Sequence, residues 1–207
     1  MTSYMQLWKS GWLAFSNKVL VIYVLLLGIV GGIVSVSWSL GGEYPVGAVS
    51  VGPWTSWPAH GTVNIDPYSL ALINIKNKIP LGTGEGIQFR ATHDNHGQRL
   101  VSSCSYLIGS DVPASRYWTM SFYDSNGKAL NTSLKRSGYT SSEVLRNPDG
   151  KFSIFARTDP YPGNWIQLEN RQSFEIILRL YDLPASMTSA LLEYQTLPTI
   201  IQQGCSQ

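Results

Sequence analysis

The chain of 207 residues is formally close to neutral, and its composition excludes several classes of protein. It carries 15 Lys and Arg against 13 Asp and Glu, and charged residues make up 14% of the chain, where soluble domains have roughly 25%. A hydrophobic content of 43% excludes an intrinsically disordered chain, and the lack of a fixed period excludes a repeat protein. Because there is no basic excess to neutralise phosphates, we do not expect binding to nucleic acid.

The longest uncharged segment lies between Lys18 and Glu43 and predicts a transmembrane helix. Its apolar centre, residues 19–38, spans about 30 Å as a helix, which is the thickness of a bilayer's hydrocarbon core. Lys9 and Lys18 precede this segment, so the positive-inside rule places the N-terminus in the cytoplasm and the rest of the chain outside. The predicted organisation is a cytoplasmic segment (1–18), a signal anchor (19–40), an extended linker (41–62) and a β-sandwich domain (63–207).

A cleavable signal peptide is the alternative interpretation of the apolar segment. Ser35-Val36-Ser37 is a small-x-small triplet of the kind that signal peptidases cut. The apolar run is longer than the core of about 7–15 residues that signal peptides have, which favours an uncleaved anchor.

The two cysteines, Cys104 and Cys205, both fall in the part of the chain expected outside the membrane. An even count in an oxidising compartment predicts a disulfide, and the alternative is two free buried thiols.

The region from residue 41 onward predicts a mainly β domain with one short helix. Residues 41–62 are rich in Gly, Pro, Ser and Trp and have no lasting period, which is typical of an extended linker. Asp66-Pro67 predicts a helix start, and that helix should end near Asn77. Its predicted core stripe is Leu72, Ile75 and Ile79. Short strands separated by turn residues follow and favour an antiparallel sandwich, jelly roll or barrel; the predicted strands are 86–92, 100–108, 117–123, 151–157, 173–181 and 197–203.

Several separated motifs between residues 60 and 207 resemble the family called domain of unknown function 1214. They are Asp66-Pro67-Tyr68, Pro80-Leu81-Gly82, Cys104-Ser105-Tyr106 with Gly109, Arg116-Tyr117-Trp118-Thr119, Tyr123-Asp124 with Gly127, Asp149-Gly150, Gly163-Asn164-Trp165, Leu178-Arg179-Leu180-Tyr181, and Leu197-Pro198 with Ile200 and Cys205. The resemblance implies a β-sandwich of jelly-roll type. It also implies a companion module, family 1254, which often precedes this domain in longer proteins. Together with the topology, it implies the inner membrane of a Gram-negative bacterium, with the β domain in the periplasm.

The sequence contains no recognised catalytic motif, and we expect no cofactor and no metal. His93 and His96 flank Asp94, a spacing that could hold a metal, but the segment equally fits a surface turn, and zinc needs further ligands.

Arginine and aromatic residues on separate predicted strands and loops form the candidate binding site. Such groups suit a sugar or an acidic small molecule if the strands bring them together, whereas Trp and Tyr also commonly fill sandwich cores. The candidate residues are Arg116, Trp118, Arg157, Tyr161, Asn164, Trp165, Arg179 and Tyr181.

The predicted function is that of an anchored cell-envelope protein that binds a partner protein, such as a companion of the family 1254 type, or an envelope glycan or lipid. The alternative is an enzyme or enzyme subunit acting on envelope carbohydrate or a small molecule.

Overall fold

The computed structural model describes residues 3–41, 47–76, 80–82, 84–130, 133–169, 172–183 and 197–205. The chain divides into two compact units, Met1–Pro45 and Val46–Gln207. Each unit is described by itself below.

The first unit contains one long apolar helix, α1 (Ser3–Gly41). Within it, the 22 residues Asn17–Trp38 form a segment that is long and apolar enough to cross a membrane. The predicted apolar helix is therefore confirmed, and helical structure begins well before the segment predicted over 19–40.

The second unit is mainly β, as predicted, and its strands form two sheets. The described residues contain a short 3₁₀ helix (Pro58–Gly61) and one α-helix, α2 (Pro67–Lys76). The strands are β1 (Val49–Val51), β2 (Trp54–Ser56), β3 (Gly86–Ala91), β4 (Cys104–Ser110), β5 (Tyr117–Asp124), β6 (Gly138–Thr140), β7 (Phe152–Arg157), β8 (Asn164–Gln167), β9 (Phe174–Tyr181) and β10 (Thr199–Cys205).

The six-stranded sheet has the order β1-β2-β3-β9-β5-β6, and the four-stranded sheet has the order β10-β4-β7-β8. One hydrophobic core contains buried residues of both sheets. Trp118 of β5 stacks on Phe152 of β7 at 5.0 Å, and Tyr106 of β4 meets Phe174 of β9 edge-on at 5.6 Å. These aromatic contacts join the inner faces of the sheets and define a sandwich.

Alternating burial explains why the longer strands could be predicted. In β5, Trp118, Met120 and Phe122 are buried, while the residues between them face outward. This period of two is the signature of a strand with one face in the core.

The prediction of an extended linker over residues 41–62 is wrong for residues 49–56. Residues 49–56 form a hairpin of β1 and β2, and β2 pairs with β3 at the edge of the six-stranded sheet. Trp54 is 1% exposed, and its indole Nε1 donates a 2.6 Å hydrogen bond to the carbonyl oxygen of Pro198. Strands of three residues are too short to display a period, so composition alone could not distinguish them from a linker.

Helix α2 begins where Asp66-Pro67 predicted it, since the Asp66 Oδ1 accepts a 2.9 Å hydrogen bond from the Ser69 backbone N–H. Leu72 is buried, as predicted, but Ile75 is 62% exposed, so its assignment to the core was wrong. Asn77 and Ile79 lie outside the described residues.

The predicted disulfide between Cys104 and Cys205 is present. It joins β4 to β10 at directly opposed positions and so ties the last strand of the chain into the four-stranded sheet.

Gly86 in β3 has no room for a side chain. A Cβ there would collide with the carbonyl oxygen of Leu180 in the adjacent strand β9. We predict that Gly86→Ala lowers the free energy of unfolding by about 3 kcal/mol, because β9 must move away. Urea denaturation of the detergent-solubilised chain, followed by tryptophan fluorescence, measures this value. Gly84→Ala is the matched control, since nothing lies within 4 Å of its Cβ; equal effects of the two variants would contradict the prediction.

Candidate functional site

The eight predicted site residues lie in different parts of the sandwich and do not converge on one site. Trp118, Arg179 and Tyr181 belong to the adjacent strands β5 and β9 of the six-stranded sheet. Arg157, Asn164 and Trp165 belong to β7 and β8 of the other sheet. Asn164 and Trp165 were expected in a loop, and their placement in β8 corrects that expectation.

Two of the eight residues are interior. Trp118 is 2% exposed and packs in the core. Asn164 is 4% exposed, and its Nδ2 donates to the carbonyl oxygens of Leu145 and Ser153 at 2.8 and 3.0 Å. Its Oδ1 accepts the Leu145 N–H at 2.7 Å, so this amide holds the 141–151 loop against β7.

Arg179 and Tyr181 lie on the outer face of the six-stranded sheet. The Arg179 Nε donates a 3.0 Å hydrogen bond to the Oε1 of Gln88, and its guanidinium lies 6.0 Å from the ring centre of Tyr123. Tyr181 packs against Tyr117 with ring centres 6.0 Å apart. Arg116, before β5, forms an exposed ion pair with Asp182.

Arg157, Tyr161 and Trp165 do come together, on the outer face of the four-stranded sheet. The segment 158–163 joins β7 to β8, and β8 runs parallel to β7. The Tyr161 ring packs on Phe155 with centres 4.0 Å apart, and the Arg157 guanidinium lies 5.3 Å from the Tyr161 ring centre. The Trp165 Nε1 donates to the Arg157 carbonyl oxygen at 3.0 Å. The parallel strand and the segment before it thus build an aromatic cluster on this face.

Strand register extends this cluster into an apolar row across the whole sheet. Ile201 of β10 lies opposite Leu107 of β4, Leu107 lies opposite Phe155 of β7, and Phe155 lies opposite Trp165 of β8. These four residues, which we call the apolar row, are half-buried or exposed, and Ile201 is 38% exposed. Sequence reasoning missed Leu107, Phe155 and Ile201, because their lateral alignment depends on register between strands distant in sequence.

Comparison with known proteins identifies the central part of this domain. Residues 85–185 match the family model described as protein of unknown function (DUF1214). These residues form a DUF1214 domain. The resemblance predicted from the sequence is therefore confirmed over β3 to β9, while β1, β2, α2 and β10 lie outside the matched range.

The DUF1214 domain has the fold of a solved bacterial structure. The crystal structure of the VPA0106 protein from Vibrio parahaemolyticus matches with a TM-score of 0.53 and 21% identity, over 66% of this chain and 35% of that one. The chain thus spans about a third of the Vibrio protein. A crystal structure from Burkholderia cenocepacia matches with a TM-score of 0.42 and 16% identity, over 59% of this chain and 30% of that one. No match was found among curated proteins.

The histidines of the domain do not assemble with carboxylates into a metal-binding group among the described residues. Asp94, between His93 and His96, is 2% exposed, and its Oδ1 accepts the backbone N–H groups of His96 and Gln98 at 2.9 and 2.8 Å. Its carboxylate therefore closes a turn. His60 stacks on Trp57, and burial lowers the pKa of its imidazole, which favours the neutral form.

Tyr139 of β6 attaches β8 to the neighbouring sheet. Its hydroxyl accepts the Trp165 backbone N–H at 2.9 Å and donates to the Trp165 carbonyl oxygen at 3.1 Å. One side chain thereby satisfies both backbone groups of the residue that ends the apolar row.

We predict that Tyr139→Phe lowers the free energy of unfolding by about 2 kcal/mol, because it leaves both backbone groups of Trp165 without their partner. Urea denaturation measures the change. Tyr161→Phe is the matched control and should change stability little, since among the described residues its hydroxyl has no hydrogen-bond partner. A Tyr139→Phe variant as stable as the control would contradict this role.

Proposed function

We propose that this chain is a membrane-anchored, non-enzymatic component of the bacterial cell envelope whose DUF1214 domain binds a partner protein. In this proposal α1 crosses the inner membrane once, with Lys9 and Lys18 on the cytoplasmic side. The β domain then lies in the periplasm, an oxidising compartment in which the Cys104–Cys205 disulfide is expected to persist.

The observation that carries the proposal is the apolar row on the outer face of the four-stranded sheet. Four apolar side chains aligned across four strands cover a width of about 14 Å, since neighbouring strands lie about 4.8 Å apart. Tyr161 and Arg157 border the row. Trp, Tyr and Arg are the residues that most often dominate the energy of protein interfaces, so this composition favours a protein partner.

We expect the partner to be an envelope protein of the family 1254 type. The resemblance implies this module as a frequent companion of the domain. The matched part is about a third of the Vibrio chain, which is compatible with a domain that works beside further polypeptide. An envelope glycan or lipid on the same face is the competing occupant.

The test is a tagged purification of the full chain from native membranes in mild detergent, with the captured proteins identified by mass spectrometry. Ile201→Lys should reduce recovery of a stoichiometric companion by about tenfold or more, because it buries a charge in the contact. Leu134→Lys is the control, since Leu134 is 56% exposed and lies outside the row.

Two results would contradict the proposal. One is recovery of the chain alone, and the other is a companion that Ile201→Lys and Leu134→Lys retain equally. Circular dichroism of the purified variants ensures that a loss of capture reflects the interface and not unfolding.

A further inference from the structure

A cleft that shares no residue with the apolar row lies in the DUF1214 domain. It is a cleft of about 460 Å³ between the β4–β5 loop (111–116) and the loop that follows β6. Its wall combines polar and apolar residues, and those that matter here are Ser115, Arg116, Trp118, Ser141, Ser142 and Arg146. Small-molecule sites usually have volumes of roughly 300–1,000 Å³, so the cleft suits a ligand the size of a single sugar.

Two residues of this wall each carry a buried polar atom without a hydrogen-bond partner. Within the described part of the chain, the Trp118 Nε1 and the Ser115 Oγ have no hydrogen-bond partner. By contrast, the indole N–H groups of Trp54 and Trp165 both donate to backbone carbonyl oxygens. Leaving a buried donor unsatisfied costs about 1–3 kcal/mol, and an indole N–H can be satisfied only by an acceptor.

Positive charge at the rim of the cleft comes from two arginines. Arg116 pairs with Asp182 at 3.2 Å, but the two side chains are 82% and 66% exposed, so a ligand can replace this pair at little cost. The Arg146 Nη1 donates to the Gly150 carbonyl oxygen at 2.7 Å, which leaves its other N–H groups for a ligand. Asp111 is the acidic residue of the wall, and its Oδ1 accepts the N–H of Val112.

We propose that this cleft binds a small hydroxylated carboxylate of the uronic acid type. The guanidinium groups of Arg116 and Arg146 bind the carboxylate through charge-assisted hydrogen bonds. Oxygen atoms of the ligand accept the Trp118 Nε1–H and bond the Ser115 hydroxyl, so binding satisfies both unpaired groups. The site does not depend on the apolar row, and either proposal can fail without the other.

The test is a calorimetric titration of the detergent-solubilised full chain with D-glucuronate, with D-glucose and inorganic phosphate as comparison probes. We expect saturable binding of glucuronate and at least about tenfold weaker binding of both comparison probes, since one lacks the carboxylate and the other lacks the sugar ring. Methyl β-D-glucuronide distinguishes the sources of the ligand: binding as tight as that of glucuronate indicates the end of a glycan, and loss of binding indicates the free acid.

Substitutions inside and outside the cleft test whether glucuronate binds at this site. Arg146→Gln should weaken glucuronate binding about tenfold or more, whereas Arg136→Gln should bind normally, because Arg136 lies over Tyr139 and outside the cleft. Ser115→Ala should weaken binding and raise the Tm of the unliganded protein, since it removes a buried hydroxyl without a partner. Absence of saturable binding, equal binding of phosphate or glucose, or equal losses in Arg146→Gln and Arg136→Gln would overturn the proposal.

Discussion

The parallel placement of β8 beside β7 is the constraint on which the outer face of the four-stranded sheet depends. Parallel neighbours are usually joined by a dozen or more residues, whereas here residues 158–163 suffice. Asn164, the first residue of β8, lies opposite Ile154, three residues before the end of β7. The connecting segment therefore has to run back along β7 by only about 10 Å. Pro160, Pro162 and Gly163, whose φ is +88°, favour such a compact return. Tyr161 of this segment packs on Phe155, and Trp165 in β8 becomes the last residue of the apolar row.

Polar bonds fix this arrangement from both sides. Asn164 uses its amide to hold the 141–151 loop, and Tyr139 supplies a hydroxyl to both backbone groups of Trp165. At the opposite edge of the sheet, the Cys104–Cys205 disulfide fixes β10, which carries Ile201. A rigid face that presents apolar side chains to solvent is what a preformed protein interface requires, because little ordering free energy is lost on binding. Structure, stability and the proposed function therefore depend on the same few residues.

The sequence predicted those parts of the fold that local chemistry determines. Asp66 caps α2, alternation marks β5, and an even number of cysteines indicated the disulfide. It did not reveal β1, β2, β6 or β8, since strands of three or four residues have no measurable period. The candidate site was predicted by residue type as a set of eight, and of these the structure brings Arg157, Tyr161 and Trp165 together on one face. Their alignment with Leu107 and Ile201 depends on inter-strand register, which no single sequence displays.

In the proposed function, the apolar row contacts another protein in the cell. Site-specific photocross-linking in intact cells tests it most directly, with a photoreactive amino acid replacing Leu107 in the row or Leu145, which is 65% exposed and lies in the loop after β6. We expect one discrete cross-linked protein from position 107 and none from position 145. A position 107 that yields no cross-link, or the same products as position 145, would contradict it.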